Sequence, residues 1–167
     1  MRHAARLLLL AAALALAPES GAQAQPYPNK PIRLIISAPP GGITDILARV
    51  ISDKVSASIG QRIVAENKPG AGGNIAAETV AKSAPDGYTF MIANIGTIAF
   101  HQWIYKELGF DPLNDFDPVG PVADGPSIVA IWHKLPVANL GEFINYATKN
   151  PGKINYGSAG VGTMPHL

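Results

Sequence analysis

Apolar positions along the chain switch repeatedly between two spacings. Ile32 to Ser37 is a short, nearly continuous apolar run, which predicts a strand covered on both faces of a parallel sheet. After Pro39-Pro40-Gly41-Gly42, the residues Ile43, Ile46, Leu47, Val50, Ile51 and Val55 recur at helical spacing and form one apolar stripe, and Gly60 stops that helix. Arg62 to Glu66 reads as a second strand and Asn67 to Gly73 as a Gly/Pro loop. Asn74 to Ser83 reads as a second helix that carries Ile75, Thr79 and Val80 inward. Pro85-Asp86-Gly87 is a turn, and Thr89 to Ala93 a third strand. Strand and helix alternate, which is the signature of a parallel sheet with right-handed crossovers.

Beyond a short helical stretch around Ile98 to Tyr105 the texture changes. Phe110 to Pro126 holds four Asp and four Pro and reads as an extended connection. Ser127 to Trp132 is then expected as another strand. Leu140, Phe143, Ile144 and Ala147 mark another amphipathic helix, and Ile154 to Ser158 a final strand. Trp103 and Trp132 lie on apolar segments and are expected in the core. The sequence stops at Met164-Pro165-His166-Leu167, where a helix would be starting, so a fragment of a longer protein is expected.

Residues 1–24 have the three zones of a secretory signal: Arg2, His3 and Arg6, the apolar run Leu7 to Ala17, and the small-x-small site Ala22-Gln23-Ala24. The 11-residue run is short of the roughly 20 residues that cross a bilayer, so cleavage after Ala24 is favoured over anchoring. Removing 24 of 167 residues leaves 143, and the 13 basic and 12 acidic residues become 11 and 11. A neutral chain has no basic excess for a phosphate backbone, which argues against nucleic acid as a partner. With 0 Cys, an exported chain has neither a disulfide nor a cysteine metal site, which suits a periplasm.

Four segments share one grammar, strand then small-residue loop then helix: Pro39 to Thr44, Asn67 to Asn74, Asn94 to Thr97, and Gly157 to Thr163. In a parallel sheet these loops lie at the carboxyl edge, where each helix start offers unpaired N–H groups and the positive end of its dipole. Such an edge attracts anions, although a plain tight connection is the commoner explanation for any single loop. Nucleotide fingerprints fail letter by letter. Gly41-Gly42 is followed by Ile43-Thr44 and not by Lys-Ser/Thr, and the glycine pattern begun at Gly157 meets Ala159 where its second glycine belongs. A nucleophile elbow at Ser158 would need glycine where Tyr156 stands. His101, His133 and His166 have no partner at metal-ligand spacing. Asp45 and Arg49, at i and i+4, read as a local ion pair, with Asp45 also complementing the helix dipole.

Taken together, four blocks carry a resemblance: Pro40-Gly41-Gly42-Ile43-Thr44-Asp45-Ile46-Leu47-Ala48-Arg49; Glu66-Asn67-Lys68-Pro69-Gly70-Ala71-Gly72-Gly73-Asn74; Ala84-Pro85-Asp86-Gly87-Tyr88-Thr89; and Asn155-Tyr156-Gly157-Ser158-Ala159-Gly160-Val161-Gly162. From about Tyr27 onward the chain resembles the Bug family of periplasmic solute-binding proteins, the TctC-like receptors of tripartite tricarboxylate transporters. The resemblance implies an α/β, periplasmic-binding-protein-like Venus flytrap of two lobes with parallel-rich sheets. Its divisions here would be a signal peptide over 1–24, the N-terminal part of a first lobe over 25–122, and an incomplete second lobe over 123–167. It implies that small carboxylates are gripped between lobes by backbone N–H groups and hydroxyls. The residues placed at that cleft are Gly42, Ile43, Thr44 and Asp45; Asn94, Gly96 and Thr97; and Ser158, Ala159, Gly160, Gly162 and Thr163.

Two departures stand out against the family pattern. Thr97-Ile98-Ala99, with His101 two places on, replaces the usual Thr-His-Ala, and Met164-Pro165 replaces small hydroxyl residues. The function implied is a monomeric, non-enzymatic receptor without cofactor or metal. It would deliver a tricarboxylate, dicarboxylate or acidic amino acid to the membrane components of a tripartite transporter. A sensory protein that presents ligand to a signalling partner, and a secreted hydrolase using Ser158, are the alternatives.

Overall fold

The structure is a computed structural model that describes residues 26–167; the signal segment expected over residues 1–24 lies outside the described residues. Its centre is a three-stranded parallel sheet of β1 (Ile32–Ile36), β2 (Ile63–Asn67) and β3 (Thr89–Ile92), in the order β2-β1-β3. The register pairs Ile36 with Asn67 on one side and with Ile92 on the other, so all three strands end at one level. The apolar run of β1 is accounted for by this central position. Ile32, Ile35 and Ile36 are buried, Leu34 is half-buried, and the exposed Arg33 grips Glu66 through two hydrogen bonds of 2.9 and 2.8 Å.

Helix α1 (Ile43–Ile59) follows β1, α2 (Asn74–Ala81) follows β2, and a π-helical turn (Gly96–Phe100) running into the short α3 (His101–Ile104) follows β3. Gly60 ends α1 with its amide on Ser56 O. The way α1 meets the sheet differs from the sequence expectation. It buries Asp45, Ala48 and Ser52, while Ile43 (71% exposed), Ile46 and Val50 of the apolar stripe face outward. Small side chains one turn apart let the helix backbone approach the sheet closely, and Ala48 joins Ile36 and Ile92 in the core cluster. In α2 likewise Ala76 and Ala77 are buried and Ile75 is exposed. The N-terminal segment is fastened to the turn before β3: Tyr27 OH donates to Gly87 O at 2.6 Å, and Lys30 Nζ lies 2.9 Å from Asp86.

Residues 127–132 and 154–158 form no strand. An apolar run becomes a strand only beside another strand, and among the described residues none pairs with either. Ile128, Val129 and Trp132 are accordingly exposed, and Trp103, expected in the core, is 82% exposed. Helix α4 (Leu140–Lys149) forms where expected but buries no residue. It is held by its own start, where Asn139 Oδ1 accepts from Glu142 N and Glu142 accepts from Ala138 N.

Candidate functional site

The four small-residue loops meet at the carboxyl ends of the strands. Helix α1 begins there with Gly42, whose carbonyl accepts the first helical bond from Ile46 N at 3.0 Å. The amides of Ile43, Thr44 and Asp45 therefore lie ahead of the hydrogen-bond ladder, at the positive end of a 17-residue helix.

Asp45 has a different task from its backbone. Its carboxylate is buried and accepts from Gly41 N (2.9 Å), Arg49 Nε (3.0 Å) and Asn67 Nδ2 (2.9 Å). The Arg49 guanidinium first, then the Gly41 amide and the Asn67 amide, hold this carboxyl down to about 2. Asn67 also donates to Ala38 O at 3.0 Å and accepts from Arg49 at 2.9 Å. Together these groups tie the end of β2 to the loop that starts α1. The Asp45 side chain is consumed in building the loop, which leaves only its backbone amide without a role there.

Asn94 and Thr97 are builders as well. Both donate to Gly72 O, from Asn94 Nδ2 at 3.3 Å and from Thr97 Oγ1 at 3.0 Å, and Asn94 Oδ1 accepts from Thr97 N. Thr97 is fully buried. These bonds hold the turn after β3 on the glycine loop after β2, and that loop in turn abuts Ser37 after β1.

The loop of Ser158 to Thr163 comes down on this edge from the far end of the chain. A Cβ on Gly96 would collide with the carbonyl of Gly162, so the two backbones touch because position 96 carries no side chain. Within the loop Thr163 Oγ1 donates to Gly160 O at 2.6 Å, Gly160 N to Ser158 Oγ at 3.4 Å, and Gly162 N to His166 Nδ1 at 3.4 Å. The amides of Ala159 and Val161 have no partner among the described residues, and Ser158 is exposed. Of the twelve residues predicted for the cleft, Gly42 to Asp45, Asn94, Gly96 and Thr97 lie at the strand ends, and Gly162 touches Gly96 there. The twelve divide into groups with amides or hydroxyls to offer (Ile43, Thr44, Asp45, Ser158, Ala159) and groups that shape the backbone (Gly42, Asn94, Gly96, Thr97, Gly160, Gly162, Thr163).

Two residues belong here that the sequence did not assign. His101 is fully buried at the base of the loop, with Nδ1 against Asn74 Oδ1, and Tyr105 OH donates to Val161 O at 3.1 Å. Burial pushes the His101 imidazole below its ordinary value, and the Gly162 backbone partly opposes that. The one available signal was the displacement of His101 from the family position, which named the residue and not its contacts. Among the described residues no cluster of His, Cys, Asp and Glu is placed to hold a metal ion.

Residues 47–167 match the family described as tripartite tricarboxylate transporter family receptor. A UPF0065 protein of Bordetella pertussis is 42% identical over 100% of this chain and 50% of its own length. BugT of the same organism is 34% identical over 86% and 44%. Among solved structures, R. palustris Rpa4515 with adipate is 38% identical with a TM-score of 0.77, covering 83% of this chain and 46% of that one. MatC from Rhodopseudomonas palustris with bound malate is 32% identical with a TM-score of 0.76, covering 83% and 47%. The chain spans about half the length of the relatives it matches. Its α/β fold is that of these periplasmic binding proteins.

Proposed function

The chain belongs to the TctC-like, or Bug, family of tripartite tricarboxylate transporter receptors, and from that premise we propose that it serves as a periplasmic receptor for a small carboxylate. The first 24 residues would direct export and be removed. The cleft would lie between a first lobe over 25–122 and a second lobe begun by 123–167. Opening and closing of that cleft would be what the transporter's membrane components read.

The observation that carries the proposal is the start of α1. Three amides ahead of the Ile46–Gly42 bond stand at the edge where the 158–163 loop docks. A carboxylate has two oxygens with several lone pairs, and amides held in a fixed array stabilise it without a matching cation. Arg49, the cation beside this helix start, is spent on Asp45 and Asn67. Amides of this kind recognise the carboxylate and leave the rest of the ligand to the cleft walls. Adipate and malate, held by two neighbours, set the class we extend to this chain: a dicarboxylate of four to six carbons.

No step of bond making is implied, and among the described residues no hydrogen bond joins the Ser158 hydroxyl to a histidine or a carboxylate. Thermal melting with a panel of dicarboxylates, tricarboxylates and acidic amino acids tests the reading. A ligand at 100 times its dissociation constant should add about 2.7 kcal/mol of stability. A flat panel would refute the reading.

A further inference from the structure

His101 sits where the loop of Gly160 to Thr163 lands. Its Nδ1 lies against Asn74 Oδ1, and an amide oxygen only accepts, so Nδ1 carries the proton and Nε2 keeps a bare lone pair. That Nε2 is buried with no hydrogen-bond partner among the described residues. What fills the space in front of it is Gly162, whose Cβ, if it had one, would stand 2.5 Å from Nε2 and 2.7 Å from Cδ2. Gly72 closes the other side, with a Cβ there falling 2.7 Å from Cε1. One helical turn on, the Tyr105 ring packs against the imidazole at 4.8 Å between centroids, and its hydroxyl holds Val161 O. Two rings four residues apart, one starting α3 and one just past its end, therefore hold two consecutive residues of the loop.

Resting on the receptor reading above, we propose that His101 and Tyr105 are positioning residues for ligand capture. They seat the Val161-Gly162 turn on the strand ends, so that the Ala159 and Val161 amides meet the same anion as the first turn of α1, and the buried seat favours the neutral imidazole. The groups that face His101 are the Asn74 amide from α2, Gly72 from the loop after β2, the Tyr105 phenol from the residue just past its own helix and Gly162 from the docked turn. His166 reaches the Gly162 amide from the far side. None of these is a carboxylate, and no ion pair engages His101 among the described residues. Burial is thus the dominant influence, and it disfavours the charged ring.

The sign follows from that direction. With the turn lifted, water reaches the ring and its affinity for a proton returns toward the ordinary value near 6.5. The undocked form then binds more protons than the docked one as pH falls through that value. Docking is at full strength above it and weakens on acidification.

Titration calorimetry with malate on wild type, H101Q and Y105F, at about pH 7.5 and about pH 5.5, tests this on either side of the ordinary histidine value. Y105F should bind malate roughly 2- to 10-fold more weakly at both, the worth of one hydrogen bond. Wild type should lose more affinity on acidification than H101Q, since malate's own titration is common to both. Equal affinity for Y105F and wild type, or the same pH ratio for H101Q and wild type, would overturn the proposal. If wild type binds no carboxylate, the receptor reading fails, and the seat is then tested without ligand. Hydrogen exchange at the Gly162 amide, which is bonded to His166 Nδ1, should speed up in both variants at fixed pH, and unchanged exchange would overturn the seat. Y105F removes one hydroxyl from a half-buried ring, so its exchange decides the matter should H101Q fold poorly.

Discussion

Gly162 lies so close to His101 that a methyl group at position 162 would stand 2.5 Å from Nε2. The contact joins a residue after the last expected strand to one just after β3, across 61 positions of sequence. It also requires φ of +79° at residue 162, a left-handed conformation that glycine adopts freely.

Replacing this glycine tests both requirements at once. G162A should lift the turn from its seat and weaken carboxylate binding by at least about tenfold, because a collision and a strained backbone each cost on the order of 1 kcal/mol or more. Calorimetric titration with malate measures it. G160A, where a Cβ meets nothing nearer than 4.0 Å, serves as a comparison that retains the steric fit while straining φ.

Asp45 sets a different expectation, this time for pH. Its carboxyl is held down to about 2, below the ordinary value near 3.9. The stabilisation is complete above the ordinary value and is lost as pH falls through about 2. The melting temperature of D45N should therefore lie below that of wild type by a constant margin from neutral pH down to about 5, and the two should converge as pH approaches about 2. Parallel curves throughout would mean that the loss is one of packing and not of charge.

Ile36 is the fully buried end of the central strand, in contact with Ala48 and Ile92. Ile36→Ala should reduce stability by about 2–5 kcal/mol, read from urea denaturation. Because Ile36 also sets the level at which Asn67 and Ile92 end, the variant should lose ligand affinity along with stability.

Helix α4 stands on its cap. N139A removes the acceptor for Glu142 N and should cost about 1 kcal/mol of local helix stability. The expected readout is faster hydrogen exchange at Glu142 and Phe143, with β1 unaffected.

Much of residues 26–105 was legible because local signals and tertiary needs agree there. The run of β1 is continuous because the strand is central, and the glycines after β1 and β2 mark helix starts. The orientation of α1 was not legible. Periodicity reports where Ile43, Ile46 and Val50 lie relative to one another, whereas the sheet chose the face of Asp45, Ala48 and Ser52 for its small size. Residues 127–132 failed as a strand for a related reason, since sequence pattern supplies propensity and a ladder supplies the bonds. At the site, the loops were found and the tasks within them were not. The Asp45–Arg49 pair followed from its i, i+4 spacing, whereas the bond from Asn67 to Asp45 and the place of His101 under Gly162 are long-range facts with no local trace.

The central claim is that amides at separate helix starts converge on one carboxylate, and amide chemical shifts report on it directly. Titrating the ¹⁵N-labelled protein with malate should move the signals of Ile43, Thr44 and Asp45 together with those of Ala159 and Val161, along one saturation curve. If one of these groups shifts while the other stays still, or if the shifts lie elsewhere in the chain, the convergence does not exist.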